Sequence, residues 1–163
     1  KTIVLFLADN GTDRDLVNSW CDGQKIAGGK GTMTDRGTHI PLLVRWPGQI
    51  KAGSTCDDLV DLTDVLPTLC ELTGAKQPEQ KIHGRSFAPQ LLGQPGNPRE
   101  WIHIQNNNDR QVRNHDYMLN NKDVLRPVIQ LGADPAVIKQ QSTPEREAAA
   151  REALQAAFKA LGK

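Results

Sequence analysis

The residues from Ile3 to Ala8 (IVLFLA) form an unbroken apolar run, and Asp9-Asn10-Gly11 stops it at once. A run without polar alternation is what a strand needs when both of its faces are covered, as in the parallel sheet of an α/β protein. In such folds chemistry collects just beyond the carboxyl ends of strands. Asp9 and Asn10 stand at that end, and each brings a side-chain oxygen that suits a hard cation. Asn-Gly is also a strong hairpin-turn signal, and taken alone the pair favours the turn.

The rest of the chain narrows the choice. A length of 163 residues suits one domain, or one and a small appendage. The hydrophobic fraction of 37% and aromatic fraction of 4% are lean, so some apolar surface is expected to meet a partner or a further segment. With 20 basic and 19 acidic residues and no basic run, nucleic acid and membrane are not expected as partners. No apolar stretch approaches transmembrane length. The chain opens without Met or a signal peptide and enters a strand directly, which suggests a piece of a longer polypeptide. Cys21, Cys56 and Cys70 are odd in number and widely spaced, and make neither a zinc pattern nor a closed disulfide framework.

Along the chain, Gly11 to Asp22 is polar and irregular, as an active-site loop or a solvated loop would be. Gly28-Gly29-Lys30-Gly31-Thr32 follows. Glycines around a lysine let backbone and ammonium approach an anion closely, although the spacing is not that of a P-loop and a flexible surface loop is the alternative. Thr34-Asp35-Arg36-Gly37 connects to a second strand, His39 to Trp46, ended by Pro47-Gly48. Asp61 to Gly74 reads as a packing helix with Asp61 or Thr63 as N-cap, Pro67 near its first turn and Gly74 at its end. Ile82 to Pro89 is a turn leading to a short helical piece at Leu91-Leu92, and His83 before Gly84 reads as a solvated or capping residue rather than a catalytic one. A Pro/Gly connection, Gln94 to Arg99, divides residues 1–93, the α/β part, from residues 94–163, a small antiparallel sheet and a terminal helix. The expected strands there are Trp101 to Gln105, Gln111 to Leu119 and Arg126 to Gln130. Ala133 to Ala136 is a connection, and Pro144 to Leu161 is a helix with an apolar stripe (Ala150, Leu154, Ala157, Phe158, Leu161) and a Glu147–Arg151 pair.

Taken together, these segments resemble the second half of the sulfatase family. The resemblance is carried by the apolar strand with Asp9-Asn10-Gly11, by Gly29-Lys30-Gly31-Thr32, and by Gly37-Thr38-His39-Ile40-Pro41-Leu42-Leu43-Val44-Arg45-Trp46-Pro47-Gly48. Asp64-Val65-Leu66-Pro67-Thr68-Leu69 looks like the family's Asp-x-x-Pro-Thr-Leu helix. Gly84-Arg85-Ser86 is similar to its Asp-Gly-x-Ser segment, with His83 where Asp is usual. Gln111-Val112-Arg113 through Tyr117 looks like its closing β-hairpin, and Asp134-Pro135 falls where an Asp-Pro is common. The likeness is strong through Gly93 and weaker beyond it.

The resemblance implies an alkaline-phosphatase-like α/β fold and a metal-dependent sulfuric ester hydrolase acting on a sulfate-ester substrate. Asp9 and Asn10 align with ligands of a divalent cation, usually calcium, and Lys30 with the lysine that contacts the sulfate group. His39 is common at its position in some members, with an orienting hydrogen bond in the loop as its other reading. The family's nucleophile, a formylglycine made in a Cys-x-Pro/Ala-x-Arg motif, fits none of Cys21, Cys56 and Cys70. It is expected in a missing N-terminal half, together with the remaining metal ligands, and this chain alone is expected to be inactive. A periplasmic or secreted location follows from the resemblance alone. Two other readings stay open: a non-catalytic fragment or binding module that keeps half of the fold, and a related phosphatase or phosphodiesterase.

Overall fold

The computed structural model describes residues 2–14, 19–21, 23–129 and 142–162. The expected Ala133 to Ala136 connection, with Asp134-Pro135, and the end of the last expected strand at Gln130 lie outside them. The described chain forms two compact units, each discontinuous in sequence. One contains residues 1–6 and 42–102, the other residues 7–41 and 103–163.

In the first unit β1 (Val4–Leu7) pairs with β4 (Leu42–Arg45). The expectation of a strand covered on both faces is corrected here. Exposure alternates along β1 and β4, and Val4, Phe6 and Leu43 are 53%, 63% and 59% exposed. The helix expected over Asp61 to Gly74 is a 3-10 turn, Leu62–Asp64, running into α2 (Val65–Thr73). Asp61 is the N-cap: its carboxylate accepts from the Thr63 N–H, while Asp64 reaches back to the Asp61 N–H, so two donors of the helix start are satisfied reciprocally. Gly74 closes the helix at φ 72°, a left-handed conformation that a side chain would strain.

Asp64, 2% exposed, organises this unit. Besides the Asp61 N–H it accepts from the Arg85 N–H at 2.6 Å and from Arg99 Nε and Nη2 at 2.7 and 2.5 Å. Arg99 also donates to the His83 carbonyl, which gives the Gly84-Arg85-Ser86 segment its place beside the helix start. Thr68, fully buried, donates to the Asp64 carbonyl and accepts from the Phe87 N–H, just before α3 (Ala88–Leu91).

In the second unit the stretch read as an irregular loop carries a hairpin, β2 (Ser19–Cys21) with β3 (Gln24–Ile26), antiparallel with Trp20 opposite Lys25. Gly23, just before β3, is in a left-handed conformation at φ 75°. The strands of the first part therefore do not form one sheet: β1 joins β4, and β2 joins β3. A short helix, α1 (Asp35–Thr38), replaces the expected connection before His39.

The expected small sheet is present with four strands in sequential order: β5 (Ile102–Asn106), β6 (Asp109–Arg113), β7 (Tyr117–Asn120) and β8 (Leu125–Pro127). The single strand expected over Gln111 to Leu119 is two, because the Asn114 side chain accepts from the Asp116 and Tyr117 N–H groups and folds the chain into a turn. One face of this sheet is apolar. Val112 and Leu119 are cross-strand partners, Tyr117 lies two residues from Leu119, and all three are buried.

The terminal helix α4 (Pro144–Ala160) packs on β6 and β7 through buried Ala150, Leu154 and Ala157. Thr143 caps it through the Arg146 N–H, with Pro144 at the first helical position. The expected Glu147–Arg151 pair does not form. Arg151 binds Asp123 at 2.9 Å, and Glu147 accepts from the Ser142 hydroxyl. A tertiary partner with a fixed position has displaced the local one, which was worth only about 0.3–0.5 kcal/mol. Leu154 is 1% exposed. Leu154→Ala should lower the unfolding free energy by about 2–5 kcal/mol, measured by urea titration.

Candidate functional site

Asp9, Asn10, Lys30 and His39 all belong to the second unit, and main-chain hydrogen bonds bring their segments together. The Gly11 N–H donates to the Gly37 carbonyl at 2.9 Å. The Thr12 carbonyl accepts from both the Gly29 and Lys30 N–H groups, at 2.9 and 3.0 Å. The segment after β1 thus lies against the Lys30 loop on one side and against α1, which ends next to His39, on the other. Asn10-Gly11 does not make a hairpin, because β1 finds its partner in β4.

Glycines make this approach feasible. A Cβ on Gly11 would stand 2.0 Å from the Arg36 carbonyl oxygen, and one on Gly37 would stand 2.2 Å from that of Thr32. Gly28 and Gly29 are equally closed, against the backbone of Thr12 and Asp13 and against Arg36. Three segments therefore meet backbone to backbone at a knot that only residues without a Cβ can form.

The side chains around the knot divide into two groups. Asp9 and Lys30 are exposed and Asn10 is half-buried. Among the described residues, no hydrogen bond or ion pair engages the Asp9 carboxylate, the Asn10 amide or the Lys30 ammonium. Asp9 and Asn10 present hard oxygens from adjacent positions, which fits part of a calcium shell. Among the described residues no group of three or more His, Cys, Asp or Glu side chains is placed to hold a metal ion.

The second group is fully engaged. Asp35, the first residue of α1, is 6% exposed, and its carboxylate accepts from Arg113 Nη1 at 2.5 Å. The other carboxylate oxygen accepts from His39 Nδ1 at 3.2 Å, one helical turn on. Gln111 Nε2 donates to the Met33 carbonyl at 2.8 Å, and Asn106 Nδ2 to the Gly31 carbonyl at 3.2 Å.

His39 is therefore tied to a buried carboxylate. The hydrogen bond it donates to Asp35, outweighing partial burial, raises its pKa above the ordinary 6.5. Burial pushes Asp35 upward, but the hydrogen bonds from His39 and Arg113 and the Arg113 charge prevail, and its pKa falls below 3.8.

Asp35 and Arg113 were passed over in the sequence, the one as part of a connection and the other as a hairpin residue. The available signal was the polar-apolar-polar order of Gln111-Val112-Arg113, which reads as a strand with one wet face. Both faces are covered here, with Gln111, Val112 and Arg113 at 4%, 0% and 6% exposure.

Known proteins share this fold and identify it as a C-terminal sulfatase region. A structure solved in complex with its substrate D-glucosamine-2-N,6-O-disulfate superposes at a TM-score of 0.68, with 21% identity, over 96% of this chain and 34% of that one. The family described as N-sulphoglucosamine sulphohydrolase, C-terminal, matches residues 28–125, and the chain belongs to it. Human arylsulfatase A (Homo sapiens) is 36% identical over 114 residues, 69% of this chain and 22% of that protein. The ulvan-active sulfatase of Formosa agariphila is 49% identical over 65 residues, 40% of this chain and 13% of that protein. Mouse steryl-sulfatase (Mus musculus) is 33% identical over 101 residues, 57% of this chain and 16% of that protein. The chain thus spans about a fifth or less of the length of these relatives.

The Asp35–His39 bond has a pH signature. Because the pKa of His39 is raised, its contribution to stability is complete below 6.5 and is lost as pH rises through the raised value. Asp35 works in the opposite direction: its contribution is present above 3.8 and is lost as pH falls through its lowered pKa. Since the His39 side chain is 62% exposed, solvent screens most of its share. An NMR titration of the His39 ring should give a midpoint above 6.5, and Asp35→Asn should bring it back down.

Proposed function

We propose that this chain is the part of a sulfuric ester hydrolase that supplies a sulfate-binding lysine, Lys30, and two ligands of a divalent cation, Asp9 and Asn10. The observation that carries the reading is the pair of bonds from the Gly29 and Lys30 N–H groups to the Thr12 carbonyl. They hold the root of the lysine beside the segment that bears both oxygen donors, and the family match, over residues 28–125, supports the reading of Lys30.

The chemistry asked of these residues is electrostatic. As the S–O bond of a sulfate ester breaks, negative charge shifts onto the sulfate and leaving oxygens. An ammonium held beside them stabilises the transition state more than the ground state. Gly31, with no atom within 4 Å of where a Cβ would stand, leaves the backbone beyond Lys30 open to a bulky anion. Asp9 and Asn10 would hold calcium, which supplies further positive charge to the sulfate group. The attacking oxygen comes, in this reading, from a formylglycine elsewhere in a longer polypeptide, and these 163 residues alone are inactive toward an aryl sulfate.

In the gene product as the cell makes it, Lys30→Ala should reduce turnover of a sulfate ester by about a hundredfold or more. Lys30→Arg should restore little, since a planar fork does not replace a point charge in a glycine-lined niche. A solvated loop lysine would change turnover by less than about twofold, so wild-type steady-state kinetics for Lys30→Ala would refute the assignment.

Two side-chain ligands are far short of the roughly six to eight oxygens that calcium takes. Calorimetric titration of the isolated chain should therefore show weak calcium binding, abolished in Asp9→Ala. Tight stoichiometric binding would mean that a different ligand set is at work.

A further inference from the structure

Along the segment after Lys30, every second residue is gripped by the small C-terminal sheet. Asn106 of β5 holds the Gly31 carbonyl, Gln111 of β6 holds the Met33 carbonyl, and Arg113 of β6 holds the Asp35 carboxylate. Gln111 and Arg113 are two apart on one strand and so share a face, opposite the apolar face that carries α4. The polar face of this sheet is thus shaped to one loop. The loop's own bonds are short-range: Gly31 is in a left-handed conformation at φ 78°, Thr32 bonds to the Gly29 carbonyl and the Thr34 hydroxyl, and the Thr34 carbonyl accepts from the Gly37 and Thr38 N–H groups.

We propose that Asn106, Gln111 and Arg113 are positioning residues for Lys30, and that the C-terminal sheet acts as a clamp that presents the ammonium to the sulfate group. The inference rests on the reading of Lys30 as the sulfate-binding residue. A lysine side chain is long and flexible, so an aimed charge requires a fixed root. The Thr12 carbonyl fixes that root from the N-terminal side, and the sheet fixes the loop from the C-terminal side. Misplacing a charged donor by about 1 Å can cost on the order of a hundredfold in rate, so a clamp that touches no substrate can still set turnover.

The clamp makes a prediction that a purely structural role does not. If Asn106 and Gln111 act through Lys30, their loss matters only while Lys30 is present. Asn106 is exposed, so Asn106→Ala leaves the core untouched, and Gln111→Met preserves side-chain volume at a buried position.

In the gene product as the cell makes it, assayed on an aryl sulfate, each variant should lower kcat roughly three- to tenfold with KM changed less than about twofold. Combined with Lys30→Ala, neither should lower the rate further. In Asn106→Ala, amide exchange over residues 30–35 should quicken while the thermal midpoint stays unchanged. Losses that multiply in the double variants, or unaltered kcat together with unaltered exchange, would overturn the clamp while leaving the Lys30 assignment in place. Wild-type turnover in Lys30→Ala would instead overturn that assignment, and the clamp with it.

Discussion

The buried carboxylate of Asp35 is the constraint on which the second unit depends. An ionised group with 7% of its side chain exposed is costly to take out of water, and it persists only when charges and hydrogen bonds replace the lost hydration. Arg113 and His39 supply them, one from a distant strand and one from the next helical turn. Removing the Asp35 carboxylate would leave the Arg113 charge buried without its counter-ion, a loss of about 3–5 kcal/mol. This accounts for the association of an early loop with a late sheet across an intervening run of some sixty residues that belongs to the first unit.

The first unit repeats the device. Asp64 stands at a helix start, is buried, and is reached by Arg99 from beyond two turns and a short helix. In both units a carboxylate at the beginning of a helix collects donors from local backbone or side chains and from one remote arginine. The planar guanidinium suits this use, since it keeps its charge when buried and offers several donors in a fixed geometry. The pairs bring specificity of placement more than net stability: each fixes one register of one segment against another.

Much of the fold was legible in the sequence because it rests on local signals. Asp61 as N-cap, Gly74 as C-cap, Pro144 at a helix start and the stripe of Ala150, Leu154 and Ala157 all follow from capping chemistry and period. What was misread followed from partner choice. Gly11 to Asp22 read as an irregular loop, and only the pairing of β2 with β3 shows that Ser19–Cys21 is a strand. Arg151 had a suitable partner in Glu147 and took Asp123 instead, because strength of pairing depends on which side chain is already held in place.

The sequence by itself determined the family, the two capped helices and the chemical character of the candidate residues: hard oxygens at Asp9 and Asn10, and an ammonium among glycines at Lys30. These are properties of short stretches, and short stretches can be read. The tertiary structure alone decided that Gly11 and Gly37 meet backbone to backbone, that the Thr12 carbonyl holds the root of Lys30, and that Asn106, Gln111 and Arg113 close on the loop beyond it. A hydrogen bond between residues seventy-eight positions apart leaves no periodic trace in either segment. A buried polar face on a strand has the same alternation as a solvated one, so only the folded chain can show which face is covered.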